Sequence, residues 1–381
     1  MNFVPQFRRA WLWAALAFVF GTSCATEAVI PEDSVRASDV RVDVKWRLDL
    51  ATDRLWQIDP AELGTPVLSP GGDLLVGASN GWVYRLLTHS GAVVWASEIG
   101  GSVDAPGRVL GSDAYIGTDA GYLVKLDWRT GEEMWRFQAR GSVESRPTVA
   151  EGRVFATDSE DILYALDAVT GDLLWDFQPR APDFFTIKGG GEPLLVGDVV
   201  YCGFADGSLR AFFADTGEEI WAVDLGDETE EFGDVDLPLF VAGDRMIATS
   251  HSGGIYAIER STGATLWHVD ISDVAGVEVV EHWYFGAVST GRVFALDLRE
   301  GDLYWQYELP DGHMAVDVSI AGSFLAVAVS NGPLYWLHLR NGEPAAKWAP
   351  SRGFQNAPVF DDRYGFVMSA KGYLYGFALA Y

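Results

Sequence analysis

The stretch ALDAVTGDLLW at 165–175 reads as the end of one short strand, a tight turn closed by Gly171, and a second strand carrying Trp175. The same grammar returns as KLDWRTGEEMW at 125–135 and FFADTGEEIW at 212–221. The strand before the turn follows a G-x-apolar-aromatic-x-apolar pattern, with slips. Its copies are GWVYRL at 81, GYLVKL at 121, DILYAL at 161, GSLRAF at 207, GGIYAI at 253, GRVFAL at 291, GPLYWL at 332 and GYLYGF at 372. Seven are followed by a glycine turn and then a tryptophan: Gly91/Trp95, Gly131/Trp135, Gly171/Trp175, Gly217/Trp221, Gly263/Trp267, Gly301/Trp305 and Gly342/Trp348. The last copy runs to Tyr381 without its tryptophan, while Trp46 in KWRLDL stands at the other end with no repeat before it.

Each unit also holds two earlier strand-like segments, such as TPVLS and LLVGAS before position 81. Fixed-period units of about 40 residues with four short strands match propeller blades, whereas helical solenoids would show a 3.6-residue period. The expected fold is all-β, an eight-bladed propeller of four-stranded antiparallel blades. The N-terminal strand around Trp46 would complete the C-terminal blade, which removes an open sheet edge. The repeated tryptophans are expected to pack between blades, each indole N–H finding a backbone partner.

Composition agrees. The chain has 381 residues with 15 Trp and 42 Gly, suited to many short strands and tight turns. With 27 basic against 54 acidic residues, its formal charge of −27 repels phosphate backbones and anionic headgroups, which argues against nucleic acid as a partner.

Arg8 and Arg9 precede the apolar run Ala10 to Phe20, and Gly21, Thr22 and Ser23 lead to Cys24. That is the layout of a bacterial export signal, and the run is shorter than the roughly 20 residues a membrane-spanning helix needs. Cysteine directly after small residues resembles a lipobox, which marks Cys24 for acylation. Residues 1–23 are therefore expected to be a signal peptide, 24–40 a flexible lipid-anchored tether, and 41–381 the propeller. The other cysteine, Cys202, lies in the apolar string VVYCGF and is expected to be a buried thiol on a strand.

The Trp-containing units resemble the repeat of pyrroloquinoline-quinone (PQQ)-type propellers, a family that includes dehydrogenases and also proteins with the fold but no cofactor. With the lipobox-like leader and a single ring, residues 41–381 resemble the BamB-type outer-membrane-protein assembly lipoproteins in particular. The resemblance implies a non-catalytic, cofactor-free scaffold, monomeric within a larger complex. It would be lipid-anchored at the periplasmic face of the outer membrane and would dock on the periplasmic domains of a BamA-like barrel protein.

Two connections carry this further. Trp175 to Pro193 spans 18 positions and Trp221 to Pro238 spans 17, against 11 from Trp95 to Pro106 and 12 from Trp135 to Pro147. Being the same kind of connection on adjacent blades, they should emerge side by side on one rim, where binding commonly resides. The first contains FFTIKG at 184–189 and the second DVD at 234–236, apolar anchors beside both signs of charge. These strings resemble the partner-binding loops of the BamB type. The implied contacts are Phe185, Ile187, Lys188, Asp234 and Asp236, with Phe185 and Lys188 standing where the resemblance leads one to expect Leu and Arg.

Other chemistry is weaker. The six histidines show no zinc spacing, so no metal is expected. Gly77, Ser79 and Gly81 match G-x-S-x-G but fall at a strand–turn–strand corner, where the hydrolase elbow needs a strand-to-helix turn. The glycines at 189–191 precede a strand-like run, with no helix N-terminus for phosphate. Asp227, Glu228, Glu230 and Glu231 lack the alternating geometry of a calcium loop. Two alternatives stay open: a PQQ-dependent dehydrogenase, which the repeat alone suggests, and a generic extracytoplasmic propeller binding another protein or a polysaccharide.

Overall fold

The repeat's turn is built from its own side chains. In the second blade the Asp127 carboxylate accepts from the N–H groups of Arg129 and Thr130 at 2.8 and 2.9 Å, and Gly131 closes the turn at φ 76°. The left-handed conformation is open to glycine at little steric cost. Asp167 repeats the arrangement with Val169 and Thr170, and these backbone donors hold both carboxyls below the usual range.

The computed structural model describes residues 40–50, 64–179, 190–226, 233–350 and 353–380. All regular structure in it is strand, arranged as eight four-stranded sheets. The second blade, with strands Arg108–Leu110, Asp113–Gly117, Tyr122–Asp127 and Glu133–Gln138, is representative. Its third strand is buried along nearly its whole length, since neighbouring blades cover both faces, which is why YLVKLD shows no clean alternation. Its outer strand alternates. Trp135 is buried, whereas Glu133, Met134 and Arg136 are exposed.

The eighth blade closes the ring as expected. Its strands Val359–Asp361, Tyr364–Met368 and Tyr373–Ala380 are completed by Arg41–Asp49, paired antiparallel from Arg41 opposite Ala380 to Asp49 opposite Tyr373. The apolar core is divided. Eight buried clusters each draw residues from two adjacent blades, such as Leu75 and Val83 of the first with Ile116 and Val124 of the second. The molecule is held together between blades more than through a single centre.

The tryptophans are the joints. The ring nitrogens of Trp46, Trp95, Trp135, Trp175, Trp221 and Trp305 donate to carbonyls of the following blade, at Thr88, Trp128, Ala168, Ala214, Arg260 and Leu339. Each indole face lies on the turn glycine of that next blade: a Cβ at Gly171 would meet the Trp135 ring at 2.7 Å. Trp267 packs the same way on Gly301, but its buried ring nitrogen finds no acceptor among the described residues.

One expected tryptophan is displaced. In the seventh blade the position opposite the third strand, filled by Trp305 opposite Ala295 in the sixth, is held by Ala346 opposite Trp336. Trp348 sits two residues on and packs against Tyr375 and Phe377, at 5.3 and 5.2 Å between ring centroids. The reason is the closure itself. The eighth blade takes its outer strand from the N-terminus, so it has no turn between third and outer strands, and no glycine there to receive an indole.

Candidate functional site

The connections between one blade's outer strand and the next blade's inner strand follow a shared course. Val103, Val143 and Val235 each descend onto the end of a second strand, their amides donating to Ala78, Thr118 and Phe204. Gly77, Gly117 and Gly203 stand beneath them, because a Cβ there would collide with the valine. DVD at 234–236 is thus the counterpart of Ser102-Val103-Asp104 and Ser142-Val143-Glu144. It is a regular part of the repeat, and the extra length of its connection falls before Gly233.

The structure separates the two acidic candidates. Asp234 is 3% exposed, its carbonyl accepting from the His251 amide at 2.9 Å. Asp236 is half-buried and lines an open pocket of about 160 Å³ on the rim, together with Ser145, Arg146, Gly191 and Glu192. Phe185, Ile187 and Lys188, and likewise Cys24 and the acidic string at 227–231, lie outside the described residues.

The first enlarged connection re-enters the described chain at Gly190, against the second. A Cβ on Gly191 would meet the Val235 carbonyl at 2.8 Å and the Asp236 Cα at 3.3 Å. The Thr157 hydroxyl ties the same segment down by donating to the carbonyls of Gly190 and Gly191, at 2.8 and 3.0 Å. The ends of the two connections therefore meet on one rim, over the corner shared by blades three, four and five.

Under this corner lies a residue that sequence reasoning passed over. Asp161 starts DILYAL, where other copies begin with glycine, and it adopts φ 63° in the left-handed region. Its carboxylate is 8% exposed and accepts from the Ala205 amide of the next blade with both oxygens, at 3.1 and 3.2 Å. Burial, reinforced by the charges of Asp206, Asp234 and Asp158 and opposed by the Ala205 donor, pushes this carboxyl up to about 7. The visible signal was the slip itself, an aspartate in a glycine slot.

The remaining motifs resolve as structure. Ser79 sits in the turn between Asp73–Gly77 and Trp82–Leu87, with no helix behind it. Cys202 is fully buried in the strand Val199–Gly203, where burial raises its thiol well above the ordinary value. Among the described residues no three His, Cys, Asp or Glu side chains converge as a metal site.

Residues 79–307 match the family model described as outer membrane protein assembly factor BamB. The chain belongs to the BamB family. Similar curated relatives include the BamB of Xanthomonas campestris pv. campestris, 29% identical over 198 residues, which are 50% of this chain and 49% of that protein. The matched stretch thus spans about half the length of such relatives. Among solved structures, BamB from Moraxella catarrhalis superposes with a TM-score of 0.75 at 20% identity, covering 89% of this chain and 100% of that one. A quinohemoprotein alcohol dehydrogenase from Comamonas testosteroni reaches 0.72 at 15% identity, covering 92% and 78%. At these identities the two structures show the fold alone, and it is the BamB sequence model that distinguishes between the branches of this propeller fold.

Proposed function

We propose that this chain is a non-catalytic scaffold in the assembly of outer-membrane β-barrel proteins, docking through one rim onto the periplasmic domains of a BamA-like partner. Membership of the BamB family supports the role, and the Xanthomonas relative carries the name of an outer membrane protein assembly factor. The observation that carries the docking reading is the meeting of Gly190–Gly191 with Val235–Asp236, which brings two enlarged connections to adjacent places on one rim. Within it Asp236 supplies the accessible acid, and Phe185, Ile187 and Lys188 of the first connection supply apolar anchors and a cation. Asp234 acts from beneath, holding the corner in place.

Residues 1–23 export the chain, acyl groups on Cys24 hold it to the periplasmic face of the outer membrane, and 24–40 serve as the tether. The discriminating experiment exchanges charge at the accessible positions. Lys188→Glu combined with Asp236→Lys should reduce co-purification with BamA about tenfold while leaving thermal unfolding unchanged. Undiminished recovery of BamA from a folded double variant would remove this rim from the interface.

A further inference from the structure

Eight inner strands stand around the ring axis, and one register position recurs in them. Arg108, Thr148, Glu278 and Ser319 hold it, opposite Tyr115, Phe155, Phe285 and Ala326. Three of the four tie their blade to the next by donating to a proline carbonyl: Arg108 to Pro147 at 3.2 Å, Thr148 to Pro193 at 2.5 Å, and Ser319 to Pro358 at 2.7 Å. An ionised carboxylate has no proton to give a carbonyl. Glu278 makes no such bond, and the charges that act on it are those of Asp317 and, with the opposite sign, Arg146. It faces a cavity of about 280 Å³ on the axis.

Arg146 faces the same cavity. Its only hydrogen bond among the described residues is a long one from Nε to the Gly107 carbonyl at 3.5 Å, which leaves its two terminal nitrogens directed at no acceptor. Arg108 lies close enough to repel it, and the single carboxylate between them, Glu192, is 3.4 Å from Arg108. Two guanidinium groups therefore share Glu192 at this end, and Arg146 alone also feels Glu278 across the cavity. At the other end Glu278 sits near Asp317, whose carboxylate is already engaged by the amides of Ala357 and Val318 at 2.7 and 2.8 Å. Burial first, and then the charge of Asp317, push the Glu278 carboxyl up to about 7, against the opposing pull of the Arg146 guanidinium across the cavity. Leu194, Leu239 and Phe240 wall the space between the two ends.

We propose that the axial cavity is a receptor site for a small zwitterion with an apolar side chain, an amino acid of the leucine class. Its carboxylate meets the open fork of Arg146, its ammonium meets Glu278, and its side chain lies on the wall of Leu194, Leu239 and Phe240. The size suits a ligand at the lower end of the usual range for small-molecule pockets. Arg146, Glu192 and Pro238 also line the rim pocket beside Asp236, so the two spaces adjoin and the rim provides the way in. Arg146 and Glu278 line one cavity with opposite charges and no hydrogen bond between them, so charge complementarity is the basis of selection: a ligand lacking either charge leaves one of them facing an apolar group.

The test is calorimetric titration of the intact chain with four probes: L-leucine, 4-methylpentanoate without the ammonium, 3-methylbutylamine without the carboxylate, and glycine without the side chain. L-leucine should bind at one site per chain, and each of the other three should bind at least about tenfold more weakly. Glu278→Gln keeps the shape and removes the charge, so it should weaken L-leucine about tenfold and leave 4-methylpentanoate unchanged. Absence of binding up to roughly 10 mM L-leucine overturns the proposal, as does equal binding of 4-methylpentanoate, which would make the cavity a plain anion site. The probe series on the unaltered chain decides the matter even if the variant fails to fold.

Discussion

Seven joints between blades are built alike, and the eighth is built differently. At the seven, an indole from one blade lies on the turn glycine of the next, as Trp135 lies on Gly171. At the seam between the seventh and eighth blades the large and small partners change places. Ala346 stands in the outer strand, and the fully buried Trp336 stands opposite it in the third strand, 6.2 Å from the Phe377 ring. The difference shows that the repeated tryptophan answers to the turn it receives. Where ring closure abolishes the turn, the aromatic bulk moves inward and packs on side chains of the closing blade.

The severest way to break the comparison is to remove the closing strand. A chain beginning at Leu50 lacks Arg41–Asp49, and it exposes the whole backbone edge of Tyr373–Ala380 together with the apolar face that Trp46 and Leu48 cover. An unpaired edge of that length templates association, and the lost cluster belongs to the joint between the eighth and first blades. The expected outcome is loss of monomer on size-exclusion chromatography and of a cooperative thermal transition. A monomeric, cooperatively unfolding product would show that the ring does not depend on its closure.

A smaller effect tests whether the indole and the turn form a unit. Trp135→Ala should cost about 3–5 kcal/mol in denaturant unfolding, the usual range for deleting a buried aromatic side chain. At the seam the exchange Trp336→Ala with Ala346→Trp recreates the large-to-small order of the regular joints, yet it supplies no glycine turn. It should remain about 2 kcal/mol or more less stable than the natural chain, because the new indole has nowhere to lie. Stability equal to the natural chain would mean that the order of sizes matters and the turn does not.

These two sets of residues also mark where the sequence was legible. Eight copies, the Trp46 strand and the glycine turns are local patterns, and each translates into a strand or a turn that needs only its neighbours, so blade number and closure could be read directly. The place of Trp348 was legible too, but only by strict counting. The other six tryptophans stand four residues after their turn glycine and Trp348 stands six after Gly342, so the spacing points to Ala346, and the register against Trp336 agrees. The site was legible in outline, since loop length located the rim, but exposure along DVD follows from the descent of Val235 onto Gly203 and has no trace in composition. Arg146 and Glu192, in the connections that lead into two inner strands, meet Glu278 of a third inner strand only because these segments of different blades converge on one cavity.

The smallest effect concerns Asp161, the other departure from the repeat. Copies elsewhere in the ring place Gly81, Gly121, Gly207, Gly291 and Gly372 in this slot, all at positive φ. The aspartate holds the same backbone shape at the expense of strain, and it binds the Ala205 amide across the blade boundary. Its carboxyl is raised in the folded state, as are those of Glu278, to about 7, and Asp317, to about 6. A raised carboxyl binds its proton more tightly folded than unfolded, so its contribution is complete below the unfolded value near 4 and is lost as pH rises towards 7. Stability should therefore increase from pH 8 to pH 5, with about 2 kcal/mol of the rise due to Asp161. Asp161→Gly relieves the backbone strain and, at pH 8, removes a buried ionised carboxylate, while it leaves the Ala205 amide without its acceptor at a cost of about 1 kcal/mol, so the variant should be no less stable than the natural chain at pH 8. What the substitution changes is the slope, which should become clearly shallower in urea titrations at the two pH values. An unchanged slope would assign the titration to Glu278 and Asp317 on the axis, and would leave Asp161 as a purely geometric replacement for glycine.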